Sequence, residues 1–269
     1  MPPSQIVPTL LDEGVYYASE ASFYRVLTER ELNQPRGRAL KREARAKPKE
    51  VVADRPNVCW SWDVTLLQPK TTGVFFYLYM FMDIYSRKIV GYEVYSRECG
   101  ELAKELFQRC MIAEGNPMGL TLHSDNGAPM KSYTLRAKLN ELKVTGSYSR
   151  PRTSNDNPFS ESLFRTLKYC PAWPEGGFKT IENARLWVAK FVHWYNQEHK
   201  HSELNFVTPE QRHKKIDSEI LSKRKAVLEK AKRLNPKRWS RGIRNCEPVE
   251  PTTLNPDKVD NETSMGCAA

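Results

Sequence analysis

The chain has 269 residues, 39% of them hydrophobic, enough for a main domain of ordinary size with appendages. No apolar run approaches the roughly 20 residues of a membrane span, and the opening Met1-Pro2-Pro3-Ser4 is not a basic-then-apolar leader, so a soluble cytoplasmic chain without membrane partners is expected. A formal charge of +10 points to a polyanionic partner, and six cysteines without a Cys-x-x-Cys pair speak against a structural zinc site and for reduced thiols.

Residues 4–31 read as two short helices, Ser4–Asp12 ended by Gly14 and Glu20–Arg30 capped by Ser19. A helix–turn–helix and a small helical hairpin fit this segment equally. Arg36, Arg38, Lys41, Arg42, Arg45, Lys47 and Lys49 then make a basic linker, which either tracks phosphates or serves as a solvated spacer. At Val58 the pattern turns to strand. Val58, Trp60, Trp62 and Val64 alternate with Cys59, Ser61, Asp63 and Thr65, which places Asp63 on the more polar face. Residues 74–84 form an aromatic and aliphatic run expected to be a central strand covered on both faces, and 88–95 a third strand, the three joined as an antiparallel meander.

A helix follows over 100–113 with Leu102, Leu106, Cys110 and Ala113 as its stripe, then a strand at 120–123, a helix at 131–142 and a strand at 144–148. After a polar loop, Asn157 is expected to cap a helix whose first position is Pro158. Leu163, Phe164 and Leu167 share its apolar face, and Glu161, Arg165 and Lys168 its polar face. A long helix covers 180–200. Residues 212–244 hold 13 Lys or Arg against three acids, and 245–269 is expected to be a frayed tail. The order β-β-β-α-β-α-β-α-α predicts an α/β fold with a mixed five-stranded sheet flanked by helices. The domain boundaries read as a helical segment 1–33, a linker 34–56, a core 57–211 and a basic extension 212–269.

Asp63 lies in the first core strand, Asp125 at the carboxyl end of the fourth, where open α/β sheets place ligands, and Glu161 on the helix after the fifth. If the first and fourth strands are neighbours, the three carboxylates meet at one edge. Each bare pair at ~4 Å costs on the order of 4 kcal/mol at an effective dielectric near 20, and a divalent cation removes that repulsion. Ligands that are all carboxylate oxygens suit Mg²⁺ or Mn²⁺. Two such ions activate an attacking oxygen and stabilise the leaving oxygen of a phosphodiester. Asp83 and Asp156 are the rivals; Asp83 at a strand end reads better as a turn cap, and Asp156 lies outside the helix that carries Lys168.

Asp63 and Asp125 have 61 residues between them, and Asp125 and Glu161 have 35. With Trp60-Ser61-Trp62-Asp63-Val64-Thr65, His123-Ser124-Asp125-Asn126-Gly127, Ser149-Arg150-Pro151 and the run Asn155 to Lys168, the sequence resembles, over about 54–214, the integrase core domain of bacterial insertion-sequence transposases, relatives of retroviral integrases. The resemblance implies a ribonuclease-H-like fold and metal-dependent DNA cleavage and strand transfer, with Asp63, Asp125 and Glu161 as metal ligands for two ions. Lys168 matches a basic position that contacts transposon-end DNA, and Asn126 and Gly127 shape the turn behind the second ligand. Arg165, Arg150, Arg152, Arg238 and Arg241 are further candidate DNA contacts. Implied partners are transposon-end and target DNA, further copies of the chain, and an upstream helix–turn–helix protein or fused frame, since only the end of such a module is recognisable before the core. The location becomes the nucleoid within the cytoplasm. A hydrolytic nuclease of the same fold and a non-catalytic DNA-binding remnant are the competing functions.

Overall fold

The computed structural model describes residues 1–30, 32, 48–71, 73–150 and 156–256. Arg36 to Lys47 of the basic linker, Arg152 and the tail 257–269 lie outside the described residues. Two units are present, residues 1–45 and 46–269. None of the helices among the described residues is long and apolar enough to cross a membrane.

The first unit contains α1 (Pro3–Asp12) and α2 (Glu20–Glu29), which pack on each other. Pro3 opens α1, where its missing N–H leaves nothing unpaired, and Gly14 follows its end at φ +78°. Ser19 caps α2 by accepting from the Ser22 N–H at 3.4 Å. The connection Glu13–Ser19 exceeds the turn of roughly three or four residues that joins a helix–turn–helix.

The second unit is built on β2 (Cys59–Leu67), β3 (Phe76–Asp83), β4 (Ile89–Tyr95), β5 (Thr121–Ser124) and β6 (Thr145–Tyr148). They lie in the order β4-β3-β2-β5-β6, antiparallel across β4-β3-β2 and parallel across β2-β5-β6. This is the ribonuclease-H-like mixed sheet: a hairpin meander followed by crossovers through α3 (Gly100–Ala113) and α4 (Tyr133–Glu141). On the other face lie α5 (Pro158–Lys168) and α6 (Ile181–Gln197).

Period two explains the two-layered core. Leu78, Met80 and Met82 of β3 join Leu163, Leu167, Val188 and Phe191 of α5 and α6. Tyr79 and Phe81 join Trp60, Trp62, Leu106 and Phe107 on the α3 side. Both faces are therefore dry, as the unbroken apolar run of β3 requires. Val74 and Phe75, expected within that strand, fall outside it and are exposed, because the register pairs β3 with β2 only from Phe76. The buried stripe of α3 is Ala103, Leu106, Phe107, Cys110 and Met111; Ala113, expected inward, is exposed. The helix is rotated so that Phe107 packs edge-on to Trp60 at 6.0 Å.

The carboxyl-terminal part is not all tail. After α7 (Pro209–His213) and α8 (Asp217–Leu234), Thr252–Leu254 form β7, antiparallel to β1 (Val51–Ala53). Val51–Ala53, read as linker, and 252–254, read as frayed, thus pair beside the core. The buried Arg212 ties this return in place: its guanidinium bonds Asp217 and the Val249 carbonyl and lies 4.2 Å over the Tyr85 ring.

Candidate active site

The parallel register of β2 and β5 pairs Ser61 with His123 and Trp62 with Ser124. Asp63 and Asp125 follow this last pair, close enough for the charge of Asp125 to act on Asp63. Alternation puts Ser61, Asp63 and His123 on the face covered by α5, while Trp60 and Trp62 fill the opposite core. The alternation expected for β2 holds, and its polar face is covered as well: Ser61 and Thr65 are buried, Ser61 against α5. Asp125 turns at once into a loop, its Oδ1 accepting from the Gly127 N–H at 2.8 Å. A Cβ at Gly127 would stand 2.6 Å from Met130 Sδ and 3.1 Å from that same Oδ1, so a side chain there would require both Met130 and the carboxylate to shift. Asn126 holds the turn from behind by donating from Nδ2 to the Ser149 carbonyl.

A buried polar seat brings α5 to this edge. Ser61 Oγ donates to Asn157 Oδ1 at 2.6 Å and lies 2.5 Å from Ser160 Oγ. All three residues are buried, so β2 is pinned to the first turn of α5 one residue before Glu161. Asn157 therefore does not cap the helix with its side chain as its position predicted; the amide is directed to β2 instead. His123 completes the seat. It lies within 2.9 Å of Ser147 Oγ through Nδ1 and 2.8 Å of the Asp156 carbonyl through Nε2. Burial holds its pKa below the ordinary value, so it is a neutral ring with its proton on Nε2. Asp156 takes both Arg150 Nε at 3.0 Å and Arg150 Nη2 at 2.9 Å, and its pKa is lowered chiefly by that pair.

The electrostatics of the edge follow. Burial first, then the charge of Asp125, with smaller effects from Glu161 and Glu98, raises the Asp63 carboxyl to about 7, against one lowering hydrogen bond from the Val64 N–H. Among the described residues no three His, Cys, Asp or Glu side chains are drawn together tightly enough to hold an ion as they stand. The donor chemistry nevertheless fits a hard divalent cation: every group is a carboxylate oxygen, and the Asp125 charge that adds to burial in raising Asp63 is a repulsion a cation relieves. Asp83 is excluded; it is fully buried and accepts from the Asn57 and Ser86 N–H groups at 2.8 and 2.9 Å, a turn cap as expected.

The basic candidates divide. Glu161, Arg165 and Lys168 are exposed along one face of α5. Arg238 and Arg241 are exposed beyond α8, and Arg152 lies outside the described residues. Arg150, expected at phosphate, has its fork taken by Asp156. Sequence reasoning gave no role to Ser61, Ser160 or Glu98. For Ser61 a signal existed, a small polar residue between two tryptophans of a strand; for Glu98 none did.

A model described as Integrase core domain matches residues 53–154, and a second of the same description matches 142–209. The transposase for insertion sequence element IS904 of Lactococcus lactis subsp. lactis (strain IL1403) is 31% identical over 158 residues, covering 58% of this chain and 61% of the relative. Transposase InsF for insertion sequence IS3A of Escherichia coli (strain K12) is 29% identical over 160 residues, covering 59% of this chain and 54% of the relative. The chain thus spans less than two thirds of the length of either. The HTLV-2 integrase catalytic core domain in complex with magnesium (trimeric form) is similar at 19% identity and a TM-score of 0.43, over 59% of this chain and 97% of that one. Across residues 53–209, a continuous stretch longer than half the sequence, the match is to an integrase core, and the chain belongs to the integrase core domain family.

Proposed function

We propose that this chain cuts and joins DNA as a polynucleotidyl transferase of the insertion-sequence transposase type, with Asp63, Asp125 and Glu161 holding two Mg²⁺ (or Mn²⁺) ions. The observation that supports the reading is the β2–β5 register, which pairs Trp62 with Ser124, the residues just before Asp63 and Asp125, together with the Ser61–Asn157–Ser160 contacts that tie β2 to the turn of α5 just before Glu161. Bound there, the ions supply charge neutralisation at the attacking and leaving oxygens of an in-line displacement. Asp63, Asp125 and Glu161 are the carboxylates that would hold the ions. Arg165 and Lys168, on the Glu161 face of α5, orient the DNA backbone so that the scissile phosphate meets the carboxylates. Arg238 and Arg241 hold flanking or target DNA through phosphates without reading bases. Joining two ends takes two such sites, so further copies assemble on DNA; an upstream helix–turn–helix protein or fused frame supplies end recognition, in the nucleoid of the cytoplasm.

The test is incubation of the protein with Mg²⁺ and duplexes of the terminal sequences that flank its reading frame. Joined products that disappear in Asp125→Asn support the proposal. Cleavage without joining makes the chain a hydrolytic nuclease, and binding without either makes it a non-catalytic remnant.

A further inference from the structure

Away from the carboxylate edge, a cavity of about 660 Å³ opens between the 205–206 loop, α8 and residues 244–246. Its floor is apolar: Phe206, Leu221, Val227 and Leu228, with Cys246 at one end. Four cations surround that floor, Lys200, Lys223, Arg224 and Arg244; Lys223 is paired with Glu219 one turn back at 2.6 Å, and the lining itself holds no carboxylate. Val227 is 67% exposed and Phe206 37%, so the apolar floor faces solvent. Asn205 and Phe206 are both left-handed, at φ +50° and +61°. For a phenylalanine that conformation is an outlier. It is held by Arg224, which donates to the Asn205 and Phe206 carbonyls at 3.0 and 2.9 Å, and by Arg244, stacked 4.6 Å over the Phe206 ring.

An aliphatic floor inside a cationic rim selects a ligand that is apolar on one side and acidic on the other. A nucleobase meets the charge but not the floor, because its polar edges need partners. The two amide side chains in the wall are engaged already: Asn205 Nδ2 donates to the Glu247 carbonyl, and Asn245 Oδ1 accepts from the Glu247 N–H. A base edge desolvated against Leu228 and Val227 loses about 1–3 kcal/mol per unpaired group. An amphipathic helix loses nothing of the kind, since its backbone is satisfied internally and its leucines match the floor. We propose that this groove docks an acidic amphipathic helical segment of a protein partner, its apolar side chains over Phe206, Val227 and Leu228 and its carboxylates on Lys200, Lys223 and Arg244.

The probe is a fluorescein-labelled 18-residue peptide with leucines on one helical face and glutamates elsewhere, titrated with the full chain in the absence of DNA and metal. The control peptide has the same composition permuted to remove the apolar face. The expected result is binding at least tenfold tighter for the amphipathic peptide. Val227→Glu removes that advantage, and Lys179→Glu, a larger charge change ahead of α6 and outside the groove lining, preserves it. Equal affinity for the two peptides, or indifference to Val227→Glu, overturns the proposal. So does a labelled dT12 oligonucleotide that displaces the peptide and loses affinity in Val227→Glu, which makes the groove a nucleotide site. Self-association lost in Val227→Glu without any peptide preference assigns the groove to a second copy and also overturns it. Because neither DNA nor metal is present, the outcome is independent of whether the chain joins DNA.

Discussion

Replacing Ser61 by alanine removes one oxygen from the seat that brings α5 to the sheet. Ser61 Oγ is the partner of Asn157 Oδ1 at 2.6 Å and of Ser160 Oγ at 2.5 Å, all with residue exposure of 4% or less. The Asn157 Nδ2 is already buried without a protein partner, so the substitution leaves that amide side chain wholly unsatisfied. An unpaired buried polar group costs about 1–3 kcal/mol, and two are created, against a negligible gain from the smaller side chain. Loss of about 2–4 kcal/mol of stability is expected. All six tryptophans, Trp60, Trp62, Trp173, Trp187, Trp194 and Trp239, lie in residues 46–269, so urea unfolding followed by tryptophan fluorescence reports that unit alone. Glu161 sits on the loosened turn, and a displacement of about 1 Å at a reacting site costs on the order of 100-fold. Strand transfer should therefore fall by at least tenfold at a temperature where the variant remains folded. A shift below about 0.5 kcal/mol would show that the hydroxyl network is incidental and refute the reasoning.

Three further outcomes follow from the same structure. Burial works against charge on His213, yet its hydrogen bonds to Asp83 and Glu114 raise the ring to about 8. Its folded pKa exceeds the unfolded value near 6.5, so its stabilisation is complete below 6.5 and is lost as pH rises through 8. The unfolding free energy from urea titrations should fall between pH 6 and 9 by about 2 kcal/mol more in the wild type than in His213→Gln. Gly177 has φ +83°, and a Cβ there would lie 2.3 Å from the Gln68 carbonyl oxygen, so Gly177→Ala should cost about 2 kcal/mol or more in the same assay. Replacing Arg238 and Arg241 together by alanine should lower the slope of log affinity for DNA against log salt by about 2, measured by fluorescence anisotropy, with little dependence on DNA sequence.

The core was legible because its periods were clean. The run Phe76–Asp83 has no polar interruption before Asp83 and forms an interior strand, and Leu163, Phe164 and Leu167 fix the inward face of α5. The strands that carry Asp63 and lead into Asp125 become neighbours through topology, which the element order implies once crossovers and hairpins are told apart. What sequence concealed is where side-chain hydrogen bonds go. Asn157 before Pro158 reads as a cap, but the fold offers its oxygen a closer donor in Ser61, 96 positions away. Arg150 reads as a phosphate contact, but its guanidinium is taken by Asp156, six positions on. The pairing of β1 with β7 joins residues about 200 apart, and neither three-residue strand carries a period long enough to recognise.

The most direct test of the proposed site is Mn²⁺ binding, followed by electron paramagnetic resonance, with terminal DNA present. Two ions per chain are predicted for the wild type, with at least one lost in each of Asp63→Asn, Asp125→Asn and Glu161→Gln. Undiminished Mn²⁺ binding in all three folded variants would contradict the assignment of these carboxylates.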